Sequence, residues 1–366
     1  GQIDGQARLA GGRFTLVTRQ CAPITAKAYA LGESPITNIK ATLCPTAAPL
    51  VAAGPGGWSA ALRFKDGEGD VASAQAHLQT IQGEAVLGGA RGFQRAEVRV
   101  DSAAVADSAP ERRFNPVLAK GRLALSDGLW TGGFQATTPV GAPLGEIRLR
   151  HIVATGRGQA DIDASKLAFA PGGLQPAELS PMAAFAREAK GPASFTGVFA
   201  WNPDGATSRG RLVADKIDFT SPIGFVATLD GAIDFTSLAP LVSAPRQTMQ
   251  VVKIDSLVPL TGVESVFQLG AEMLHISKAT FEAARGRVSI EPIDVPLGAD
   301  KTLKGAIVIQ HLDLGELIAA SSLADRIKID AVVDGRLPFT FGPEGLRFQN
   351  GQVRAIQPGR LEIART

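Results

Sequence analysis

The residues that could carry acid–base or metal chemistry are few in this chain and stand apart from one another. Asp161 and Asp163 share one face of a predicted strand and could act as a carboxylate pair, but a solvated face beside a turn is the simpler interpretation. The four histidines lack a cysteine or carboxylate at metal-ligand spacing: His77, His151, His275 and His311. No GxSxG, HExxH, Walker A or GxGxxG motif occurs. The sequence therefore predicts neither an enzyme nor a bound metal or cofactor.

The cysteines and tryptophans are sparse as well. Cys21 and Cys44 lie in strand-like segments with turn residues between them, and their spacing fits either a disulfide across neighbouring strands or two buried thiols. The three tryptophans, Trp58, Trp130 and Trp201, are dispersed and do not predict an aromatic platform for nucleic acid. The formal net charge of +2, with scattered basic residues, gives no electrostatic signal for nucleic acid either.

Period-2 alternation of apolar residues is the main structural signal in the chain. It is clearest in residues 213–235, where Ser-Pro and Asp-Gly turns separate three short runs. The positions expected to share an apolar face are Val213, Ile217 and Phe219, then Ile223, Phe225 and Leu229, then Ile233 and Phe235. Together with 41 Gly and 23 Pro in 366 residues, this pattern predicts a mainly β fold of antiparallel strands. The apolar face of such a sheet either closes against a second sheet or stays open as a groove.

Two segments depart from this pattern and predict a few short helices. In residues 180–191, Ser180 can cap a helix and Gly191 can end it, while Met182, Phe185 and Ala189 share one helical face. We predict a short helix over 181–190 that covers a bend or an end of the sheet; the alternative is a plug over an open groove. A second helix is predicted over 313–324. We divide the chain into an N-terminal part (1–175), a middle part (176–260) and a C-terminal part (261–366).

The C-terminal end alternates regularly and finishes in a predicted strand over 360–364. The apolar residues at odd positions before it include Ile329, Val333, Leu337, Phe339 and Phe341. The final strand, formed by Arg360, Leu361, Glu362, Ile363 and Ala364, has no partner later in the sequence. We therefore expect its exposed edge to pair with another chain.

No apolar run is long enough for a membrane-spanning helix, and the chain opens at Gly1 without a signal peptide. We interpret the chain as a processed product or fragment whose membrane anchor would precede it.

Several stretches resemble a known family. They are GVFAWNPDGATSRGRL (197–212), DFTSPIGFVATLDGAIDFTSLAPLVSAPRQ (218–247), HLDLGELI (311–318) and DGRLPFTFGPEGLRFQNGQVRAIQPGRL (334–361). They are similar to the YdbH-type branch of the bacterial AsmA-like proteins. The resemblance covers about the C-terminal half of the chain, and the N-terminal half matches in its short strands, glycine turns and cysteine pair.

The resemblance implies an elongated, curved antiparallel sheet, a β-taco, with an apolar interior that forms one continuous groove. It implies a periplasmic protein, anchored in the inner membrane by an N-terminal helix that this chain lacks, which carries phospholipid between the inner and outer membranes. It also implies a small outer-membrane lipoprotein as a partner, bound by strand addition at the C-terminal edge. The oxidising periplasm would favour the disulfide between Cys21 and Cys44.

On this basis we predict that apolar side chains of the middle and C-terminal parts line a lipid groove. They are Val213, Ile217, Phe219, Ile223, Phe225, Leu229, Ile233, Phe235, Ile307, Ile309, Ile329, Val333, Leu337, Phe339 and Phe341. A sealed sandwich core would produce the same periodicity. Two alternatives therefore stay open: a closed-core structural β-protein of the cell envelope, and a periplasmic hydrolase with a concave polar site.

Overall fold

A computed structural model describes residues 5–29, 35–297, 302–321, 324–342 and 345–363. Within these residues, 25 strands form one antiparallel sheet and two more form a small separate sheet. The strands up to residue 169 are β1 (Gly5–Ala10), β2 (Arg13–Thr18), β3 (Ala22–Tyr29), β4 (Ile36–Pro45), β5 (Val51–Gly54), β6 (Gly57–Val71), β7 (Ala76–Gly89), β8 (Arg95–Asp107), β9 (Val117–Ser126), β10 (Leu129–Thr137), β11 (Pro143–Ile152) and β12 (Arg157–Phe169). The later strands are β13 (Arg187–Asn202), β14 (Gly205–Ser221), β15 (Gly224–Leu238), β16 (Leu241–Ser243), β17 (Gln247–Asp255), β18 (Leu260–Leu269), β19 (Met273–Ala283), β20 (Gly286–Ile290), β21 (Ile293–Pro296), β22 (Leu303–Asp313), β23 (Ile327–Asp330), β24 (Val332–Gly342), β25 (Gly345–Phe348), β26 (Gln352–Ala355) and β27 (Arg360–Ile363).

The large sheet is a meander in which most strands pair with their neighbours in sequence. From β6 to β15 every strand pairs with the next, and β17, β18 and β19 continue the order. The sheet then passes through β20, β22 and β24 to β26. The predicted elongated antiparallel sheet is therefore confirmed. Its pairing runs across both predicted boundaries, at 175/176 and 260/261, and the division into three parts stays a prediction.

The connections between strands lie alternately on two sides of the sheet, because neighbouring strands are antiparallel. We call these sides rim A and rim B. Rim A carries the connections at 72–75, 108–116, 138–142, 170–186 and 222–223. Rim B carries those at 90–94, 127–128, 153–156, 203–204 and 239–240. The two longest of these ten connections are therefore on rim A.

Many of the long strands contain a β-bulge between the two rims. In β14 the pairing register shifts between Ala214 and Ile217, and Lys216 between them has a φ of 50°. Positive φ values also occur at register shifts in other strands, at Asn38, Asp66, Thr80, Thr228 and His311. A bulge bends its strand and moves the following side chains to the other alternation. The row of bulges therefore folds the sheet along a line between the rims.

Aspartates on neighbouring strands hold several bulges in place. Three bulge amides donate to such carboxylates: Lys216 to Asp230 at 2.9 Å, Thr228 to Asp218 at 2.8 Å, and His311 to Asp334 at 2.7 Å. A bulge leaves backbone groups unpaired in the ladder. The carboxylates satisfy these amides, which would otherwise lack a partner in the sheet.

The curvature of the sheet brings its two rims together at one point. Arg113, in the rim A connection 108–116, donates a hydrogen bond from Nη1 to the carbonyl oxygen of Leu238, at 2.6 Å. Leu238 ends β15 on rim B, and a strand of 15 residues is about 50 Å long at ~3.3 Å per residue. In a flat sheet these residues would lie on opposite sides. The contact therefore spans the concave face of a curved sheet.

The helices are short, and the predicted helix over 181–190 is wrong. The described helical segments are α1 (Pro176–Leu179), α2 (Leu314–Ala319) and three 3₁₀ turns at Ala72–Ala74, Val153–Thr155 and Pro181–Ala183. Ser180 does cap the turn that follows, since its hydroxyl accepts from the Met182 amide at 3.2 Å. Strand β13 begins at Arg187, and its Ala189 and Ala193 belong to the sheet. The prediction failed because Met182, Phe185 and Ala189 have helical spacing in the sequence although Ala189 is already the third residue of β13.

The final strand is paired within the chain. β27 lies antiparallel to β23, with Ile363 opposite Ile327 and Arg360 opposite Asp330. β27 therefore has one strand partner, which precedes it in the sequence, and the pairing of its other edge with another chain stays a prediction. The chain leaves the large sheet at β23 and rejoins it at β24, which frees β23 to pair with the end of the chain. Ala364 lies outside the described residues.

A disulfide fastens the hairpin at the opposite end of the sheet. Cys21, directly before β3, is bonded to Cys44 in β4, next to the cross-strand pair of Ala22 and Leu43. β3 has one strand neighbour among the described residues, so the bond holds an edge hairpin to the sheet.

Candidate functional site

The two faces of the sheet differ sharply in polarity. In β9, Leu123 and Leu125 point to the concave face, which we call the inner face, while Arg122 and Ala124 on the alternate positions are exposed on the outer face. The outer face carries ion pairs such as Arg63–Glu84 at 3.6 Å and Arg148–Glu146 at 3.2 Å. The inner face is therefore an apolar surface on a sheet whose other side is charged.

The inner face is not sealed like a protein core. Among the described residues, the largest side chains that are less than 2% exposed are Thr138 and Ser243. Leu123, Phe134 and Leu149, on the inner face of three successive strands, are all half-buried. A sandwich core would bury such side chains against an opposing sheet. The inner face is therefore accessible over a large part of its length.

Three clusters of buried apolar residues lie between Leu167 and Val333. One forms around Ile217 and Phe219 near rim A, another around Phe235 and Leu238 near rim B, and a third around Ile309 in the C-terminal part. None of them includes a residue of β6 to β10. Within the described residues, the inner face is therefore most open over these strands.

A covering segment (residues 170–186) packs on the inner face near rim A. Its Leu174 belongs to the buried cluster around Ile217, and the Phe185 ring meets Phe219 edge-on, with 5.9 Å between ring centroids. The Gln175 side chain pairs with the backbone of Ala189, accepting from its amide at 2.7 Å and donating to its carbonyl at 3.1 Å. The segment is thus attached to β13 as well as packed on β14.

A crossing loop (residues 108–116) joins the covering segment to rim B. Ser180 donates to the carbonyl of Arg113 at 2.5 Å, and Asn115 donates to the carbonyl of Leu179 at 2.8 Å. The Arg113 guanidinium also binds the carbonyls of Ala74 and Gln75, at 2.9 and 3.0 Å, besides that of Leu238. One side chain therefore connects rim A to the end of β15.

Asp107 neutralises this arginine. Burial raises the pKa of the Asp107 carboxyl, but hydrogen bonds from the Arg113 side chain and from the amides of Ala109 and Arg113 outweigh that effect and hold its pKa below the ordinary value. The carboxylate is therefore charged at neutral pH. The pair sits at the point where the crossing loop leaves β8.

The chain matches a known protein family over nearly its whole length. The model of the YdbH-like family, described as intermembrane phospholipid transport protein YdbH, matches residues 20–366. The chain belongs to the YdbH-like family. No curated protein and no solved structure matches the chain. An accessible apolar face on a curved sheet is the surface that a family of phospholipid transporters would be expected to have.

Most of the predicted lining residues of this YdbH-like protein lie on the inner face. In the middle part these are Ile217, Phe219, Leu229, Ile233 and Phe235. In the C-terminal part they are Ile307, Ile309, Val333, Leu337, Phe339 and Phe341, which occupy one face of β22 and β24. Ile307 lies opposite Leu337, and Phe341 remains half exposed near the end of the sheet. Their contact with lipid stays a proposal.

Four predicted lining residues lie elsewhere. Val213 shares the outer alternation of β14 with Arg211, because the bulge at Lys216 separates it from Ile217. The bulge at Thr228 likewise places Phe225 on the outer face, 42% exposed, while its neighbour Val226 is buried.

The other two residues do not lie on the inner face, which lines the trough of the curved sheet, and the reason differs between them. Ile223 is in the β14–β15 turn and 61% exposed. Ile329 belongs to β23, outside the large sheet, where it pairs with Leu361.

The inner face also includes residues that the sequence prediction missed. Leu212 and Val226 replace Val213 and Phe225 on the inner face of β14 and β15. Further inner-face residues occupy β6 to β13, including Leu62, Phe64, Leu87, Val98, Leu123, Phe134, Leu149, Phe195 and Phe199. The signal for them in the sequence is the alternation of apolar with charged residues, as in β8, where Val98 and Val100 alternate with Glu97 and Arg99.

Titratable groups gather at one further place in this YdbH-like chain. A cavity of about 880 Å³ near α2 is lined by Glu282, Arg285, Arg287, His311 and Glu316, among others. Arg285 pairs with Asp313 and with Glu316. The lining contains no Ser or Cys that His311 could activate.

Within the described residues, no three metal-ligating side chains lie together, and no helix is long and apolar enough to span a membrane.

Proposed function

We propose that this chain is a conduit along which phospholipid moves between the inner and outer membranes, with its acyl chains on the inner face of the sheet. The observation that carries the proposal is an apolar inner face that runs over successive strands and is not sealed by an opposing layer. Family membership supports the same substrate class.

The physical basis is a uniform reduction of the cost of exposing acyl chains to water. Each CH₂ group exposed to water costs about 0.8 kcal/mol. Contact with Leu, Phe and Val side chains removes this cost wherever the lipid lies along the trough. Because many similar weak contacts replace one tight site, a lipid can move along the sheet without crossing a high barrier.

A pair of neighbouring substitutions tests the proposal. Leu123→Glu places a charge on the inner face of β9, while Ala124→Glu places the same charge on the exposed outer face. We expect the first variant to lose most of the phospholipid that co-purifies with the chain, measured by native mass spectrometry, and the second to retain it. Transfer of a fluorescent phospholipid between vesicles should follow the same order. A wild-type chain that carries no lipid, or equal lipid in both variants, would contradict the proposal.

The location and partner of the chain follow from the same proposal. We propose that the chain works in the periplasm and that an N-terminal helix of the protein attaches it to the inner membrane. The lipoprotein partner would add a strand at the C-terminal end. The support is the exposure of that end: Leu361 and Ile363 in β27 are 59% and 67% exposed, and β27 has one free edge among the described residues.

Proline substitution can separate strand addition from side-chain contact. Glu362→Pro removes one backbone donor from β27, whereas Glu362→Ala keeps it. We expect capture of an outer-membrane lipoprotein from the native envelope by the Ala variant and its loss in the Pro variant. Equal capture by both variants would argue against strand addition at β27.

A further inference from the structure

All three tryptophans of the chain lie at the same rim. Trp58 is the second residue of β6, Trp130 the second of β10 and Trp201 the last but one of β13, which places each at rim B. Each belongs to the inner alternation of its strand, with Ala60, Gly132 and Phe199 as the next residues on that face. Residues that are dispersed in the sequence thus form a row along one side of the trough.

Cross-strand pairing fixes part of this row directly. Trp130 lies opposite His151, His151 opposite Gly158, and Gly158 opposite Trp201. A Cβ at Gly158 would be 2.3 Å from the Trp201 ring, so this ring lies flat over the glycine. The indole Nε1 of Trp201 donates to His151 Nδ1 at 3.1 Å, which requires a neutral His151, and burial lowers the pKa of this histidine. The indole is held in a defined place.

The other end of the row is held in a similar way. Trp58 donates from Nε1 to the carbonyl of Gly92 at 2.8 Å, in the β7–β8 turn. Phe93 of the same turn contacts Trp130, with 6.2 Å between ring centroids. All three indoles are half-buried. The row extends from β6 to β13, which is about 34 Å for seven strand spacings of ~4.8 Å.

Rim A is built differently over the same strands. It carries the crossing loop and the covering segment, which lie against the inner face. On rim B, the β9–β10 and β13–β14 connections are the tight turns at 127–128 and 203–204. The turn at 90–94 contacts Trp58 and Trp130. The polar end of a bound amphiphile can therefore reach water on the rim B side past the two tight turns, whereas polypeptide occupies the path past rim A.

Indole side chains favour the boundary between an apolar phase and water, because their ring is apolar and their N–H is polar. We propose that Trp58, Trp130 and Trp201 form a boundary row that holds the glycerol-ester region of a bound phospholipid at rim B. Acyl chains then point from the row towards the bulges, and headgroups leave the trough on the rim B side. This inference rests on the proposed function, because it specifies how the carried lipid is oriented.

Depth-dependent fluorescence quenching tests the orientation, since the chain contains no other tryptophan. Three double Trp→Phe variants each keep one native indole. A reference variant replaces all three and carries Phe64→Trp, next to the bulge of β6 on the inner face. The full chain is loaded from phosphatidylethanolamine–phosphatidylglycerol vesicles whose acyl chains carry bromine either near the ester or near the terminal methyl.

The measured quantity is the ratio of quenching by ester-end bromine to quenching by methyl-end bromine. We expect a ratio above one at each native tryptophan and below one at Phe64→Trp. Equal ratios at all four positions, or quenching confined to Phe64→Trp, would overturn the boundary row while leaving lipid binding intact. No quenching at any of the four positions would instead contradict the proposed function itself.

A second measurement needs no substitution and covers the case of unstable variants. Wild-type chain is loaded with phospholipid carrying a photoreactive group at the headgroup or at the chain end, and labelled peptides are mapped by mass spectrometry. We expect headgroup labels around rim B, at 90–94, 127–128 and 203–204, and chain-end labels nearer the bulges. Headgroup labels centred on rim A would overturn the proposal.

Discussion

Arg113 Nη2 lies 2.7 Å from Oδ1 of Asp107, whose side chain has no exposed surface. The same guanidinium binds backbone carbonyls at the β6–β7 connection and at the end of β15. A buried ion pair is stable when its remaining donors are also satisfied, as they are here. Asp107 and Arg113 therefore fix the place where the crossing loop spans the trough.

Removing the arginine should destabilise the protein strongly. Arg113→Met leaves the Asp107 carboxylate buried without its counter-ion, and we expect the free energy of unfolding to fall by about 3–5 kcal/mol. Arg112→Met, at the exposed neighbouring position, should change it by less than about 0.5 kcal/mol. Urea unfolding of both variants measures the difference. Similar losses in the two variants would mean that the ion pair does not hold the loop.

The same pair should make part of the stability depend on pH. The pKa of Asp107 is lowered in the folded protein from its ordinary value of 3.8. Its contribution is therefore fully present above that value and disappears as the pH falls through the folded pKa. We expect the difference in unfolding free energy between wild type and Asp107→Asn to be constant near neutral pH and to shrink below pH 3.8. A difference that stayed constant down to low pH would show that the carboxylate is not stabilised in this way.

The aspartates that cap the bulges should stabilise the bend. Asp230→Ala removes the acceptor for the Lys216 amide, which should cost about 1 kcal/mol. Hydrogen exchange at Lys216 should become faster as well. The control is Asp215→Ala, at the exposed position directly before Lys216, which should leave both quantities nearly unchanged. If Asp215→Ala and Asp230→Ala behaved alike, the carboxylate would not be acting on the bulge.

Photocrosslinking at neighbouring positions should reveal which face carries lipid. A photoreactive phenylalanine analogue at Leu212 or Val226 lies on the inner face and should capture phospholipid in cells. The same analogue at Val213 or Phe225 lies on the outer face and should capture little. Mass spectrometry of the crosslinked chain gives the yields. Higher yields at Val213 than at Leu212 would place lipid on the charged side of the sheet and contradict the proposed function.

The sequence was sufficient to predict the sheet, since alternation and glycine turns depend on local physics. Within a straight segment the predicted faces were also correct, as for Ile307 and Leu337. The prediction failed at Val213 and Phe225 because a bulge reverses the alternation. Lys216 and Thr228, which form these bulges, are ordinary residues that give no local sign of a positive φ.

The remaining features depend on contacts distant in sequence. The row of tryptophans appears when the register of eight strands is known, because no spacing in the sequence relates Trp58 to Trp201. The hydrogen bond from Arg113 to Leu238 joins residues 125 positions apart. The pairing of β27 with β23 depends on where the chain leaves the large sheet. These relationships follow from topology, which local patterns do not determine.

The row of bulges has a consequence for how the length of such a sheet, measured across its strands, can change during evolution. Many of the long strands contain their own bend, and the carboxylate that caps it comes from an adjacent strand. A duplicated or deleted hairpin would therefore bring or remove a complete slice of the trough. The cross-section would stay constant while the span changed by about 10 Å per hairpin, for two strands at ~4.8 Å. Proteins built in this way could match envelopes of different width without a new fold.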